Sequence, residues 1–230
     1  MARSEVFARK TGEFIARRII QKPFESWVNR RIKRLDMHVS GLDNLTLFDG
    51  QPFILAANHV EIGSRFRILP PSGLGPDSFA IQEYVDNLHV VARYNSSERV
   101  AKILHPRALS VLEEFQKGLL IGGGYLPIRT NNGGLNDEFR QRIGEVVERH
   151  EPILIFPGGR TFDFQPERIR RGTAVISQEY NLPIVPAYID GANTWGAHKV
   201  VVKFGEPIYP EGKTVEEMTA LVGDKILSLK

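Results

Sequence analysis

The sequence predicts an α/β fold: a mostly parallel mixed sheet covered by helices and preceded by a basic helical segment. Three observations carry this reading. Apolar runs of strand length stand at residues 53–57, 88–92, 153–156, 184–189 and 200–204. Longer stretches with helical periodicity lie between them, at 98–117, 135–148 and 173–180. Charge is shared unevenly, with ten cations against three anions in the first 34 residues, so that this end carries +7 and the remainder of the +3 chain carries −4. Unbroken apolar strands alternating with helices indicate strands buried on both faces of a parallel sheet. In such sheets ligands bind at the loops that follow strand C-termini, which directs attention to those loops.

The N-terminal segment divides in two. Pro23 marks a helix start. Phe24, Trp27, Val28, Ile32 and Leu35 then share one helical face, with Arg30, Lys33 and Arg34 pointing away and Arg31 intruding on the apolar side. A basic amphipathic helix bearing Trp and Phe is the pattern of a helix lying in a membrane interface; the plainer alternative is packing on the domain core. The preceding residues 5–21 are also expected to be helical, with Phe7, Phe14, Ile15, Ile19 and Ile20 spread more widely round the axis. The expected organisation is a basic amphipathic membrane-association segment over 1–35 and a single domain over 36–230. Residues 61–76 form an irregular loop containing Gly and Pro.

Composition excludes several classes of chemistry. There is no cysteine, which removes disulfides, cysteine metal ligands and cysteine nucleophiles. No stretch approaches the roughly 20 apolar residues that span a bilayer, and the first residues lack the apolar core of a signal peptide. A cytoplasmic protein, peripheral on the inner face of the cell membrane, is expected. A basic end on a mildly acidic body fits an anionic surface, and anionic lipid is favoured over nucleic acid because no nucleic-acid motif accompanies the charge.

Four groups of residues could carry chemistry. Asn58-His59 directly follows the 53–57 strand. A histidine there can face a cleft and act as a base near neutral pH, given a carboxylate to fix its tautomer; Glu61 and Asp77 are the candidates nearby. Taken alone, a single histidine is more often structural. Gly122-Gly123-Gly124, followed by Arg129, allows close backbone approach and a grip on phosphate or carboxylate, but lacks the lysine and spacing of a P-loop. Phe156-Pro157-Gly158-Gly159-Arg160-Thr161 would expose backbone N–H groups beside a cation, a pattern suited to an oxyanion, with an ordinary turn as its plain alternative. Val185-Pro186-Ala187 reads as buried strand.

In order and spacing these groups resemble the four blocks of the glycerolipid acyltransferase superfamily, which includes the bacterial 1-acylglycerol-3-phosphate (lysophosphatidate) acyltransferases. Those blocks are Asn-His followed by four residues and then Asp, a Gly-rich block ending in Arg, Phe-Pro-Glu-Gly-Thr-Arg, and a late Val-Pro. Arg171-Gly172-Thr173-Ala174 and Phe204-Gly205-Glu206-Pro207-Ile208 resemble further family stretches, so the similarity runs over about residues 36–210. Two blocks depart from the pattern. Ser64 stands where the Asp is expected, while Asp77 leads an apolar segment of the kind that follows the histidine, as if a loop had been inserted between base and orienter. Such an insertion costs little closure entropy. Gly158 replaces the glutamate of the third block, and Arg160 aligns with its arginine if the threonine is treated as deleted.

The resemblance implies that His59, oriented by Asp77 or alternatively Glu61, removes the proton from an acceptor hydroxyl as it attacks an acyl thioester. Backbone N–H groups around Gly158 and Gly159 would hold the oxyanion, and Asn58, Arg129 and Arg160 would contact substrate. The acceptor implied is a lysophosphatidate-like lipid and the co-substrate is acyl-CoA or acyl carrier protein, with no metal or organic cofactor. The altered blocks leave open a non-catalytic lipid-binding protein on the same fold.

Overall fold

The computed structural model describes residues 3–20, 36–60, 81, 84–93, 105–122, 124–128, 135–161, 164–191 and 199–230. Helix α1 spans Arg3–Ile15 and runs into a π-helical turn, Ala16–Ile20. Strand β1 (Asp36–Ser40), the one-turn helix α2 (Asp43–Thr46), β2 (Ile54–Ala57), β3 (His59–Val60) and β4 (His89–Arg93) follow. Then come α3 (Pro106–Gly122), β5 (Leu126–Ile128), α4 (Asp137–Glu148), β6 (Ile153–Ile155) and β7 (Arg160–Thr161). A 3-10 turn (Pro166–Arg168), α5 (Gly172–Tyr180), β8 (Ile184–Asp190), β9 (Lys199–Phe204) and α6 (Val215–Ser228) complete the order. The five anticipated strands are all present within one or two residues of their expected bounds. The anticipated amphipathic helix after Pro23 lies outside the described residues.

The chain forms two compact units. One contains α1, β4 from Val90 onward, α3, β5 and the start of α4 as far as Arg142; the other contains the remaining elements. Helix α1 therefore clusters with α3.

The second unit holds a mixed sheet in the order β1-β9-β8-β2-β6. The pairings β1–β9, β9's neighbour β8 with β2, and β2–β6 are set by register: β2 runs parallel to β6 (Ile54 opposite Ile153) and to β8 (Ile54 opposite Ile184), and β1 runs parallel to β9, while β8–β9 is antiparallel. Ile54, Leu55, Ala56 and Ala57 are fully buried, as a strand hydrogen-bonded on both edges and covered on both faces must be. Because β6 and β8 flank β2, the connection between them carries α5 across β2, which it touches. Helix α6 packs on α5, β8 and β2 and seats Met218, Val222 and Ile226 in the core. It opens with a capping box: the Thr214 hydroxyl accepts from Glu217 N–H at 3.2 Å and the Glu217 carboxylate accepts from Thr214 N–H at 2.7 Å.

In the first unit α1 and α3 approach until their backbones touch. A Cβ added at Gly118 would lie 2.0 Å from the Arg9 carbonyl oxygen, one at Gly12 would lie 2.4 Å from that of Phe115, and one at Gly122 would lie 2.5 Å from that of Glu13. No residue larger than glycine fits at these crossings unless the helices separate. Proline at the first position of α3 suits a helix start, where an N–H has no intrahelical partner. Lys117 of α3 is almost wholly buried and pairs with Glu138 of α4, and also reaches Glu114 at 3.9 Å. Burial pushes the Glu138 carboxyl up, but the hydrogen bond and charge of Lys117, joined by Arg142, outweigh it and hold the group below the ordinary glutamate range.

Gly118→Ala is expected to destabilise the chain by about 1–3 kcal/mol despite alanine's higher helix propensity, because the obstacle is backbone rather than a movable side chain; urea denaturation reads this, and a neutral result would mean that the helices part at no cost. The depressed folded-state pKa of Glu138 gives a signed pH effect. Its stabilisation is complete above the unfolded glutamate pKa of about 4.3 and is lost as pH falls through the folded value. Glu138→Gln should therefore flatten the acid side of the stability–pH curve below about pH 4.3, and parallel curves for the two proteins would remove this pair from the acid response.

Candidate active site

The site begins where β2 ends. Ala57 is the last residue in register with β8, opposite Ala187. Asn58 is 3% exposed, and its side chain takes over the pairing beyond that point. Its Nδ2 donates to the Ile189 carbonyl at 2.8 Å and its Oδ1 accepts from Ile189 N–H at 2.7 Å. The amide thus satisfies both backbone groups of a buried β8 residue, and the main chain is free to leave the sheet. Asn58, expected beside the substrate, is in this structure a bracket between β2 and β8.

Leaving the sheet, the chain makes β3, which pairs in parallel with β7: His59 stands opposite Arg160 and Val60 opposite Thr161. Two motifs about a hundred residues apart in sequence are thereby in register. The His59 imidazole is buried and lies on the Phe156 ring, with centroids 4.5 Å apart and planes at 27°. The sequence marks Phe156 as a strand end and the first residue of the Phe-Pro block. In the folded chain it also supplies an aromatic face that limits how the imidazole can tilt.

Between Phe156 and Arg160 the chain makes a tight turn closed by Gly159 N–H donating to the Phe156 carbonyl at 3.0 Å. Gly159 has φ +64°, and a Cβ there would meet nothing within 4 Å, so backbone conformation and not crowding calls for glycine. The turn commits the Gly159 N–H, whereas the neighbouring Gly158 N–H has no backbone partner among the described residues. Phe164 closes on Gly158 from one side, 3.4 Å from where its Cβ would be. The Pro157 carbonyl accepts from Arg170 N–H at 3.1 Å, which ties this loop to the approach to α5.

Of the other expected residues, Asp77, Glu61 and Arg129 lie outside the described residues, and for Arg160 the described feature is its strand position. The Gly-rich block ends α3: Gly124 has φ +81° and its N–H donates to the Ile121 carbonyl at 3.1 Å before β5 begins. Among the described residues no three His, Cys, Asp or Glu side chains gather as a metal site. A separate ionisable group sits at the opposite, N-terminal ends of the strands, where His89 Nε2 and Arg149 Nε share the Glu151 carboxylate at 2.8 and 2.6 Å. Burial raises the Glu151 carboxyl, and Arg149 and then His89 overcome this to hold it low.

No protein-family model and no characterised protein sequence matches the chain. Its fold is similar to the crystal structure of the 1-acyl-sn-glycerophosphate (LPA) acyltransferase PlsC from Thermotoga maritima. That similarity has a TM-score of 0.55 at 18% identity and covers 100% of this chain and 83% of the other. The chain thus has the α/β architecture found in that acyltransferase.

Truncating Asn58 to alanine strands two buried backbone groups of Ile189 and should cost about 1–3 kcal/mol, measured by chemical denaturation. If stability were unchanged, the two strand ends would be held by something other than this amide.

Proposed function

We propose that this protein is a membrane-surface O-acyltransferase of phospholipid biosynthesis that acylates the hydroxyl of a lysophosphatidate-like lipid, with His59 as general base. The observation that carries the reading is the parallel pairing of His59 with Arg160. It sets an imidazole held against Phe156 beside a glycine turn whose Gly158 N–H has no backbone partner among the described residues, at the C-terminal edge of the central strand. General-base catalysis needs a fixed imidazole, and acyl transfer needs a donor where the carbonyl oxygen becomes an oxyanion. The shared fold with a lysophosphatidate acyltransferase supports the same reading.

In the proposed reaction His59 takes the proton of the acceptor hydroxyl as its oxygen attacks the thioester carbonyl of acyl-CoA or acyl carrier protein. The Gly158 N–H stabilises the tetrahedral oxyanion, and collapse expels the thiolate, which takes up the proton from the imidazolium. Asp77 is proposed to orient His59, with Glu61 as the alternative, and Arg129 and Arg160 to hold the acceptor's phosphate. Asn58 is the positioning residue, since its bracket on Ile189 fixes where the histidine emerges. No cofactor enters this scheme.

Membrane association is proposed for the basic N-terminal segment at the inner face of the cell membrane. The face of α1 that packs on α3 uses Ala8 and Gly12, and leaves Phe7 73% and Phe14 61% exposed among Arg9, Lys10, Arg17 and Arg18. Large apolar side chains among cations suit a headgroup boundary. Among the described residues no helix is long and apolar enough to cross a membrane.

Thioester consumption with acyl-CoA and acyl carrier protein against a panel of lyso-lipids tests the reading. His59→Ala should lower kcat/KM by roughly 10²–10⁴-fold, and Asp77→Asn should lower it as well. Activity that survives Asp77→Asn would remove that residue as orienter. A wild-type protein that turns over neither donor with any acceptor would replace the catalytic proposal with a lipid-binding one.

A further inference from the structure

Helix α5 begins beside the candidate site, and its start is unfinished. The nine-residue helix has Arg171 at its cap position in helical conformation, with no side chain capping the first turn. Val175 N–H is bonded to the Arg171 carbonyl at 2.9 Å. Among the described residues Gly172, Thr173 and Ala174 N–H have no recorded partner outside the helix. The helix start is not crowded at Gly172, where an added Cβ would meet nothing within 4 Å among the described residues.

The second residue of the helix adds an independent anomaly. Thr173 is 2% exposed, and its hydroxyl has no hydrogen-bond partner among the described residues. One turn further along the same buried face, Ser177 is fully buried but donates to the Leu182 carbonyl at 2.5 Å. A buried hydroxyl without a partner is costly, and alanine or valine would fill the same position without that cost. Side chains on a helix lean toward its N-terminus, which carries the Thr173 side chain toward the first turn. Threonine in a helix has two accessible χ1 wells, and rotation about one bond turns the hydroxyl toward the amides of that turn.

Charge favours an anion at this position. The helix start carries partial positive charge. Arg168 and Arg170 are exposed just before it, while Arg171 is engaged with Glu216 at 3.4 Å. The Arg170 N–H bond to the Pro157 carbonyl joins this start to the loop whose Phe156 ring carries His59.

We infer that the N-terminus of α5, with the Thr173 hydroxyl and the Gly172–Ala174 amides as donors, binds a phosphate group of a substrate. The inference deepens the acyltransferase reading, on which it rests for the identity of that substrate, and makes Thr173 a determinant of affinity. The phosphate is either the headgroup of the lipid acceptor or a phosphate of the acyl donor's pantetheine arm.

Calorimetric titration of the full chain with inorganic phosphate, sn-glycerol 3-phosphate and 4′-phosphopantetheine tests this without requiring turnover. Thr173→Val should weaken binding about tenfold, as loss of a hydrogen bond to a charged group does. Thr173→Ser should retain it. The melting temperature of Thr173→Val without ligand should equal or exceed that of wild type, which separates lost binding from lost folding. Tighter Thr173-dependent binding of glycerol 3-phosphate assigns the acceptor headgroup, and tighter binding of phosphopantetheine assigns the donor. Equal affinities for wild type and Thr173→Val, or no phosphate binding by wild type, would overturn the inference and leave the acyltransferase assay to stand by itself. Thr173-dependent phosphate binding in a protein with no acyl-transfer activity would uphold the site and sink the activity.

Discussion

The bracket between Asn58 and Ile189 is the interaction on which the site depends. A parallel strand buried between two others cannot simply stop, because the next backbone groups of its neighbour would be left unpaired away from water. Asparagine solves this with one side chain that mimics a peptide unit, offering an acceptor and a donor in the same plane to Ile189. The chain is then released from the sheet within one residue, and His59 emerges at a defined point. The second, two-stranded pairing of His59 with Arg160 exists because β2 ends there.

The two compact units use different means of close packing. In the sheet-bearing unit, stability rests on aliphatic residues buried on both faces of β2, β6 and β8, each worth about 1.5–3 kcal/mol when fully removed from water. In the other unit, α1 and α3 meet through glycines, where what is gained is contact between backbones rather than side-chain area. The consequence for α1 is that its packing face is narrow. Its large apolar residues, Phe7 and Phe14, are not needed for that contact and remain outside. An ordinary helix–core interface would have absorbed them.

Hydroxyls and amides near the site sort by whether the fold has used them. Gly159 N–H closes its own turn, Ser177 is paired, and Asn58 is spent on Ile189. Among the described residues the Gly158 amide and the start of α5 with Thr173 have no such partner, and both lie along the segment that Pro157 and Arg170 tie together. A polypeptide that satisfies its buried polar groups nearly everywhere makes the few it does not satisfy informative.

The sequence by itself determined the strands and helices whose patterns are long and self-contained. The five apolar runs, the helices at 135–148 and 173–180, and the motif order around Asn58-His59 and Phe156–Arg160 could all be read without coordinates. It also held a signal that went unused, the Thr214–Glu217 capping box that announces α6. The strands it did not announce, β1, β3, β5 and β7, are two to five residues long, and their existence is conferred by a distant partner rather than by periodicity. Tertiary structure alone decided that Asn58 pairs with Ile189 and that Phe156 lies on His59. Each of these is a relation between residues far apart in the chain, and local propensity carries no information about which distant group a side chain will meet.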